Sequence, residues 1–127
     1  MNQIYAFEVT VAGENWQTVI NERTAGRAKA EYFRDLRDSW PSIPFTALRC
    51  RKLGQPRNVD GFKHTAEYRG LPDANCGDRV RVGDALGVIV GKNCSANFNV
   101  LFDDDAPAYG GQVLNVHPAS IDEFLKG

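Results

Sequence analysis

The stretch RVRVGDALGVIVG, residues 79–91, contains two short apolar runs separated by a glycine and an aspartate. Runs of the same kind follow at residues 98–102 and 112–116, again bounded by glycine, asparagine or aspartate. Short apolar runs between turn-forming residues are typical of β-strands. Strands of this length do not make a stable sheet unless they curl around a common core, so we expect a small closed β unit.

The tail that follows these strands has a different pattern. In SIDEFL, residues 120–125, a serine precedes two acidic residues and a pair of large apolar ones. Serine is a favoured helix N-cap, and acidic side chains are favoured in the first turn of a helix. We therefore expect a capped helical turn that covers one end of the β unit.

The first residues of the chain predict a β-hairpin. Residues 4–11 and 16–20 are rich in β-branched and aromatic residues, and they flank the turn sequence AGEN, residues 12–15. Residues 45–53 form a third candidate strand, in which Arg49 and Arg51 share one face. A helix between the second and third strands would complete a ββαβ unit.

The helix itself is predicted by spacing. After Thr24, which can cap a helix, apolar residues recur at steps of three and four until Pro41 and Pro44 end the pattern: Ala25, Ala28, Tyr32, Leu36 and Trp40. We interpret Tyr32, Phe33 and Trp40 as core residues that pack against the sheet. The expected fold is therefore α+β, with a ββαβ unit at residues 1–56, an irregular linker at 57–76 and the β unit at 77–127.

Composition and cysteine usage indicate the class of protein. The hydrophobic fraction of 43% and the charged fraction of 24% are those of a globular domain. We find neither an apolar run of about 18 residues, the length that crosses a bilayer, nor the pattern of a signal peptide in the first residues. Three cysteines, an odd number, favour reduced thiols over a disulfide framework. We expect a cytoplasmic protein without a membrane partner.

Two resemblances add to this interpretation. The order of elements at residues 79–82, 87–91, 98–104 and 116–118 resembles that of small SH3-like barrels of the Tudor, KOW and CAP-Gly kind. The first half, with residues 9–11, 24–29, 39–41 and 49–51, is similar to small proteins encoded by bacteriophages and prophages of Gram-negative bacteria. The second resemblance implies an accessory role in the cytoplasm of a bacterial host, such as modulating a host enzyme or a defence system. It implies no catalytic residue.

Residues able to carry catalysis or bind a metal do not form a recognisable pattern. His64, His117 and the cysteines lack the close Cys-x-x-Cys spacing that is typical of zinc sites. Cys94 lies in a polar loop beside Lys92, but no sequence pattern brings a histidine next to it to activate the thiol. The glycines around residue 87 separate strands and do not precede a phosphate-binding helix. We therefore predict no catalytic residue, metal or cofactor, and expect that the protein is not an enzyme.

Charge distribution provides two candidate surfaces. Between Phe45 and Arg69, six basic residues stand against two acidic ones, and this excess defines a basic candidate surface: Arg49, Arg51, Lys52, Arg57, Lys63 and Arg69. Such a surface can bind phosphates, with Phe62 and Tyr68 as stacking planes. Asp103, Asp104 and Asp105 form an alternative acidic surface, which could also be a solvated loop that discourages edge pairing.

Two functions follow from these observations. The first is a non-enzymatic phage or prophage accessory protein that binds a host protein, for example as an inhibitor of an enzyme or a defence complex. The alternative is a small nucleic-acid-binding protein that uses the basic segment 49–69. The net charge of −1 provides no overall attraction to nucleic acid, and the sequence leaves the oligomeric state open.

Overall fold

The computed structural model describes residues 3–125 of the chain. The chain divides into two compact units, an N-terminal unit of Gln3–Gln55 and a C-terminal unit that begins at Pro56. Each unit combines an antiparallel sheet with an α-helix, so the fold is mixed α+β. None of the helices in residues 3–125 is long and apolar enough to cross a membrane.

The N-terminal unit is a three-stranded sheet with one helix. Its elements are β1 (Tyr5–Val11), β2 (Gln17–Glu22), α1 (Ala25–Ser39), a 3-10 helix (Phe45–Ala47) and β3 (Leu48–Gly54). The strand order is β2-β1-β3, and both pairs are antiparallel. The predicted hairpin, helix and third strand are therefore confirmed, except that the third strand begins at Leu48 because the residues after Pro44 form the 3-10 helix.

Helix α1 begins and ends where its sequence signals lie. The side-chain oxygen of Thr24 accepts a hydrogen bond of 3.2 Å from the N–H of Arg27, which satisfies one of the unpaired amides of the first turn. At the other end the N–H of Trp40 donates to the carbonyl of Leu36 at 2.7 Å, and Pro41 follows. The inner face of α1, with Ala28 and Leu36, packs on alternate residues of the central strand β1. These strand residues are Phe7, Val9 and Val11, and all five belong to the core of this unit.

The C-terminal unit is a five-stranded sheet with a short helix. Its elements are α2 (Phe62–Tyr68), β4 (Arg79–Val82), β5 (Ala85–Lys92), β6 (Phe98–Phe102), β7 (Val113–Val116), a second 3-10 helix (Pro118–Ser120) and β8 (Glu123–Leu125). All pairs are antiparallel, in the order β7-β6-β5-β4-β8. The four predicted strands are confirmed. The sheet is open, with β7 and β8 at its edges, so the expected closed barrel is not confirmed.

Two predictions for this unit are wrong. The tail does not form a helical turn, because β8 pairs with β4 and turns Phe124 towards the core opposite Val80. Segment 57–76 is not an irregular linker, since it contains α2 and contributes the fully buried Phe62 and Ala66 to the core. A helix this short presents only two core positions at a spacing of four, which is too few to reveal a helical period.

Candidate functional site

The residues of the predicted basic surface are distributed over both units. Arg49, Arg51 and Lys52 lie on β3 in the N-terminal unit, whereas Arg57, Lys63 and Arg69 belong to the C-terminal unit.

The basic residues of β3 contact their own sheet. Arg49 and Arg51 pair with Thr10 and Glu8 across the β1–β3 ladder, so they share one face as the alternation predicts. An Nη1 hydrogen of Arg49 is donated to the carbonyl of Thr46 at 2.7 Å, and Arg51 forms an exposed ion pair of 3.2 Å with Glu8. The Lys52 ammonium lies 3.5 Å from the ring centroid of Tyr5. These cations already have partners within the unit.

The basic residues of the C-terminal unit hold its loops. Lys63 donates to the carbonyls of Pro72 and Ala74 at 2.7 and 2.8 Å. Arg69, just after α2, donates to the carbonyl of Ala96 at 2.9 Å and to the side chain of Asn97 at 3.1 Å, which fixes the β5–β6 turn. Arg57 is exposed.

The two predicted stacking residues differ in exposure. Tyr68 is 72% exposed, and the Arg69 guanidinium lies 5.4 Å from its ring centroid. Phe62 is fully buried against Phe98, with the ring centroids 5.1 Å apart. Phe62 therefore belongs to the core, and the prediction that it offers a stacking plane is wrong.

Asp103, the first residue of the predicted acidic surface, does not contribute to a surface. Asp103 is buried, and both of its carboxylate oxygens accept hydrogen bonds from Arg79, at 2.8 and 2.6 Å. The hydrogen bond to Asp103 raises the pKa of Arg79 above its ordinary value, although partial burial opposes this. Asp104 and Asp105 are exposed, so only these two can contribute to an acidic surface.

The cysteines are spread over both units as free thiols. Cys76 is buried, which raises the pKa of its thiol to about 11, and burial also raises the pKa of the half-buried Cys50. Cys94 is exposed in the β5–β6 turn. Within residues 3–125, no group of three or more histidine, cysteine, aspartate and glutamate side chains is arranged to hold a metal ion.

A different surface stands out in the N-terminal unit, which we call the aromatic–basic surface. It combines side chains from the β1–β2 turn, from one side of α1 and from the 3-10 helix that precedes β3: Trp16, Lys29, Phe33, Arg37, Trp40 and Phe45. Trp16 is 43% exposed and Phe45 is 41% exposed. Phe33 and Trp40 are half-buried and contact the core cluster with their inner edges.

Local structure positions each of these side chains. Lys29, Phe33 and Arg37 recur along α1 at steps of four and form one stripe, which Trp40, the C-cap residue three positions later, continues. The carbonyl of Trp16 accepts a hydrogen bond from Val11 at 3.2 Å, which closes the hairpin turn and sets Trp16 beside the stripe. Pro44 precedes the 3-10 helix that carries Phe45.

The rings of this surface meet edge to face. Trp16 packs against Trp40 with centroids 5.5 Å apart, and Phe33 packs against Phe45 at 5.2 Å. Such edge-to-face pairs are the preferred geometry of aromatic contacts. The Lys29 ammonium lies 4.8 Å from the Phe45 centroid and the Arg37 guanidinium 5.6 Å from that of Phe33, within the range of cation–π attraction.

An open depression adjoins the stripe. It has a volume of about 550 Å³ and is lined by Ala30, Phe33, Arg34, Arg37, Asp38 and Pro41. Three of these residues are apolar, and the other three supply two guanidinium groups and one carboxylate. Arg34, Arg37 and Asp38 are all exposed to solvent.

The cations of α1 differ from the other basic residues in their contacts. Within residues 3–125, the side chains of Arg27, Lys29, Arg34 and Arg37 neither donate a hydrogen bond nor form an ion pair. By contrast, arginines elsewhere contact carboxylates or carbonyl oxygens, as Arg51, Arg69 and Arg79 do. The hydrogen-bonding capacity of α1 is therefore available to another molecule.

Glu31 of α1 lies near other acidic groups. Its pKa is raised to about 7, mainly by burial and in smaller part by Glu22 and Asp35, while Arg34 opposes the shift. Glu22 is buried at the end of β2 and accepts a hydrogen bond from the N–H of Arg23 at 2.7 Å. Near neutral pH Glu31 is therefore only partly ionised, which reduces the negative charge of α1.

Sequence reasoning missed the aromatic–basic surface because two stripes of side chains share Trp40: the apolar stripe that faces the core, and the stripe of rings and cations. Assigning Phe33 and Trp40 to the core was correct for their inner edges only. The recurrence of cations and rings at residues 29, 33, 37 and 40 was the available signal. The position of Trp16 beside that stripe depends on the fold of the hairpin and could not be predicted.

The chain matches no protein-family model, no curated protein and no solved structure in these comparisons.

Proposed function

We propose that this chain is a non-catalytic binding protein that acts by occupying a surface of another protein. The observation that carries the proposal is the aromatic–basic surface, where half-exposed Trp16 packs on Trp40 and half-exposed Phe45 lies beside Lys29. The cations of α1 have no hydrogen-bond partner in residues 3–125. Tryptophan, phenylalanine and arginine are enriched at the centres of protein interfaces, and tryptophan and arginine supply many of their energetic hot spots.

The ring geometry favours a protein partner over nucleic acid. Stacking on bases requires accessible ring faces. Here Arg37 and Lys29 approach the rings of Phe33 and Phe45, and these two rings pack edge to face on each other. The basic residues first predicted to bind nucleic acid are largely engaged within their own units, as Arg49, Lys63 and Arg69 are.

The resemblance to phage and prophage proteins supports a bacterial host protein as the partner, in the cytoplasm, with inhibition of an enzyme or a defence complex as the expected consequence. We also propose that the C-terminal unit is an open relative of the SH3-like barrels. In its support, β8 lies beside β4, and a 3-10 helix precedes β8, as in SH3-like folds.

The test is an affinity pull-down from the lysate of a Gram-negative bacterium, with and without nuclease and at two salt concentrations. The full chain is compared with a Trp16→Ala/Phe45→Ala variant and with a matched Tyr68→Ala/Tyr109→Ala variant, which removes exposed aromatics of the C-terminal unit. We expect a stoichiometric, nuclease-resistant protein on the unaltered chain and on the matched variant, and its loss from the first variant.

Two outcomes would overturn the proposal. Equal retention by all chains would show that the aromatic–basic surface is not the contact. Retention of nucleic acid that is lost at high salt, with no protein remaining after nuclease, would establish the nucleic-acid alternative.

A further inference from the structure

We propose that the segment bound by the aromatic–basic surface is acidic, with carboxylates that pair with Arg34 and Arg37 and an apolar side chain that enters the depression beside Phe33 and Pro41. This inference rests on the proposed function and specifies the chemistry of the partner. It is carried by the arrangement of charge around an apolar depression.

Two arginines beside the depression have guanidinium hydrogen-bond donors available for a ligand. Arg34 and Arg37 are three residues apart on α1, so they lie on neighbouring positions of the helix surface and both line the depression. Guanidinium groups bind carboxylates through parallel hydrogen bonds, which are stronger and more directional than neutral ones. Neither group spends its donors on a hydrogen bond within the part of the chain that the structure describes.

Helix α1 carries more basic than acidic side chains. Four basic side chains lie on α1 against three acidic ones: Arg27, Lys29, Arg34 and Arg37 against Glu31, Asp35 and Asp38. The pKa of Glu31 is raised to about 7, so its proton is partly retained at neutral pH and the helix is more positive than its formal count. Among the acidic residues of α1, only Asp38 lines the depression, together with two arginines.

Apolar residues line the depression together with the charged ones: Ala30, Phe33 and Pro41. An apolar anchor surrounded by ion pairs at the rim is the common plan of protein interfaces, in which the anchor provides affinity and the charges provide orientation and rate. A purely acidic chain would leave these three apolar residues uncovered, so the expected segment combines carboxylates with one large apolar residue.

The test is selection of a random peptide library on the immobilised full chain, followed by sequencing of the enriched peptides. The same selection is run on an Arg34→Gln/Arg37→Gln variant and on an Arg49→Gln/Arg51→Gln variant, which loses the same charge on β3. Glutamine keeps a good helix propensity, and all four arginines are exposed, so both variants retain the fold. Circular dichroism verifies this.

We expect enriched peptides with an excess of Asp and Glu around an aromatic or leucine residue. One such peptide should bind the Arg34→Gln/Arg37→Gln variant about tenfold to a hundredfold more weakly in fluorescence anisotropy, and the β3 variant with unchanged affinity. Replacing its acidic residues by Gln and Asn should reduce affinity to a similar extent.

Neutral or basic enriched peptides, failure to enrich any sequence, or equal weakening in both variants would overturn the inference. Its failure can be distinguished from failure of the proposed function. If the pull-down partner is lost with Trp16→Ala/Phe45→Ala but retained with Arg34→Gln/Arg37→Gln, the surface binds protein and the acidic chemistry is wrong.

Discussion

The ion pair between Arg79 and Asp103 gives Asp103 a different role from the one that its sequence context predicts. In the sequence, Asp103 is the first of three consecutive aspartates and predicts a solvated loop. In the structure it is 4% exposed and forms two hydrogen bonds to Arg79, which joins β4 to the end of β6. A buried carboxylate with both oxygens paired is a structural element of the sheet.

We predict that Asp103→Asn destabilises the chain by about 3 kcal/mol, because it leaves the partly buried Arg79 guanidinium without a counter-charge. Urea unfolding followed by circular dichroism measures the effect. Asp105→Asn, at an exposed neighbouring position, is the matched control and should change stability by less than about 0.5 kcal/mol. Equal losses in the two variants would contradict a specific role for the pair.

Two glycines of the same strand provide a second test at this scale. A Cβ at Gly87 would lie 2.7 Å from Cγ1 of Val100 and 2.9 Å from the carbonyl of Leu101, whereas the nearest atom at Gly91 is 3.7 Å away. Gly87→Ala should therefore cost about 1 to 3 kcal/mol through overpacking. Gly91→Ala should change the free energy of unfolding by about 1 kcal/mol or less. A Gly87→Ala chain as stable as Gly91→Ala would show that β5 and β6 separate without cost.

Helix α1 makes a different set of contacts on each of three sides. One side packs on the sheet through Ala28 and Leu36, a second presents the aromatic–basic surface, and a third places Glu31 near Glu22. Burial is the main reason that the Glu31 carboxyl resists ionisation. We therefore expect the stability of the N-terminal unit to depend on pH.

The sign of that sensitivity follows from proton linkage. Glu31 ionises near pH 4.5 in the unfolded chain and near pH 7 in the folded one. Between these values the folded state binds more protons, so stability falls as pH rises through this window. We predict that Glu31→Gln removes this fall and makes the chain more stable than the unaltered one at pH 8, by at most about 3 kcal/mol.

Urea unfolding at about pH 5 and pH 8 would test this prediction. Fluorescence is a suitable signal, because Trp16 and Trp40 both belong to the N-terminal unit. Glu14→Gln, in the exposed β1–β2 turn, is the control and should keep the pH dependence of the unaltered chain. A Glu31→Gln chain that is less stable at pH 8 would mean that the ionised carboxyl has a stabilising partner.

For the whole molecule, charge is the property with the clearest consequence. The formal net charge is −1, and the basic excess of residues 45–69 is divided between the two units. Nonspecific attraction to a polyanion needs several cations that act together and is strongly weakened by salt. Most of the cations in question already contact carboxylates or carbonyls of their own unit.

We therefore predict weak retention on heparin, with elution below about 0.2 M salt at neutral pH. An Arg49→Ala/Arg51→Ala chain should elute at nearly the same salt concentration. Elution at much higher salt that is lost in this variant would favour the nucleic-acid alternative and identify β3 as its site.

Local sequence was sufficient for the elements whose signals lie within a few residues of one another. The Thr24 cap, the spacing of Ala28 and Leu36 and the stop at Pro41 predict α1, and alternation between turn residues predicts β4 and β6. The shared face of Arg49 and Arg51 follows from the period of two in a strand. These features depend on backbone geometry and nearest neighbours alone.

The features that the sequence did not predict depend on contacts between segments that are distant in the chain. The tail became β8 because β4 offered an unpaired edge and a core opposite Val80, and α2 was recognisable only once Phe62 and Ala66 had a core to enter. Asp103 is buried because Arg79, 24 positions earlier, reaches it. Trp16 joins the stripe of α1 for the same kind of reason. Burial and counter-charges come from residues far apart in the chain, so no local pattern could specify them.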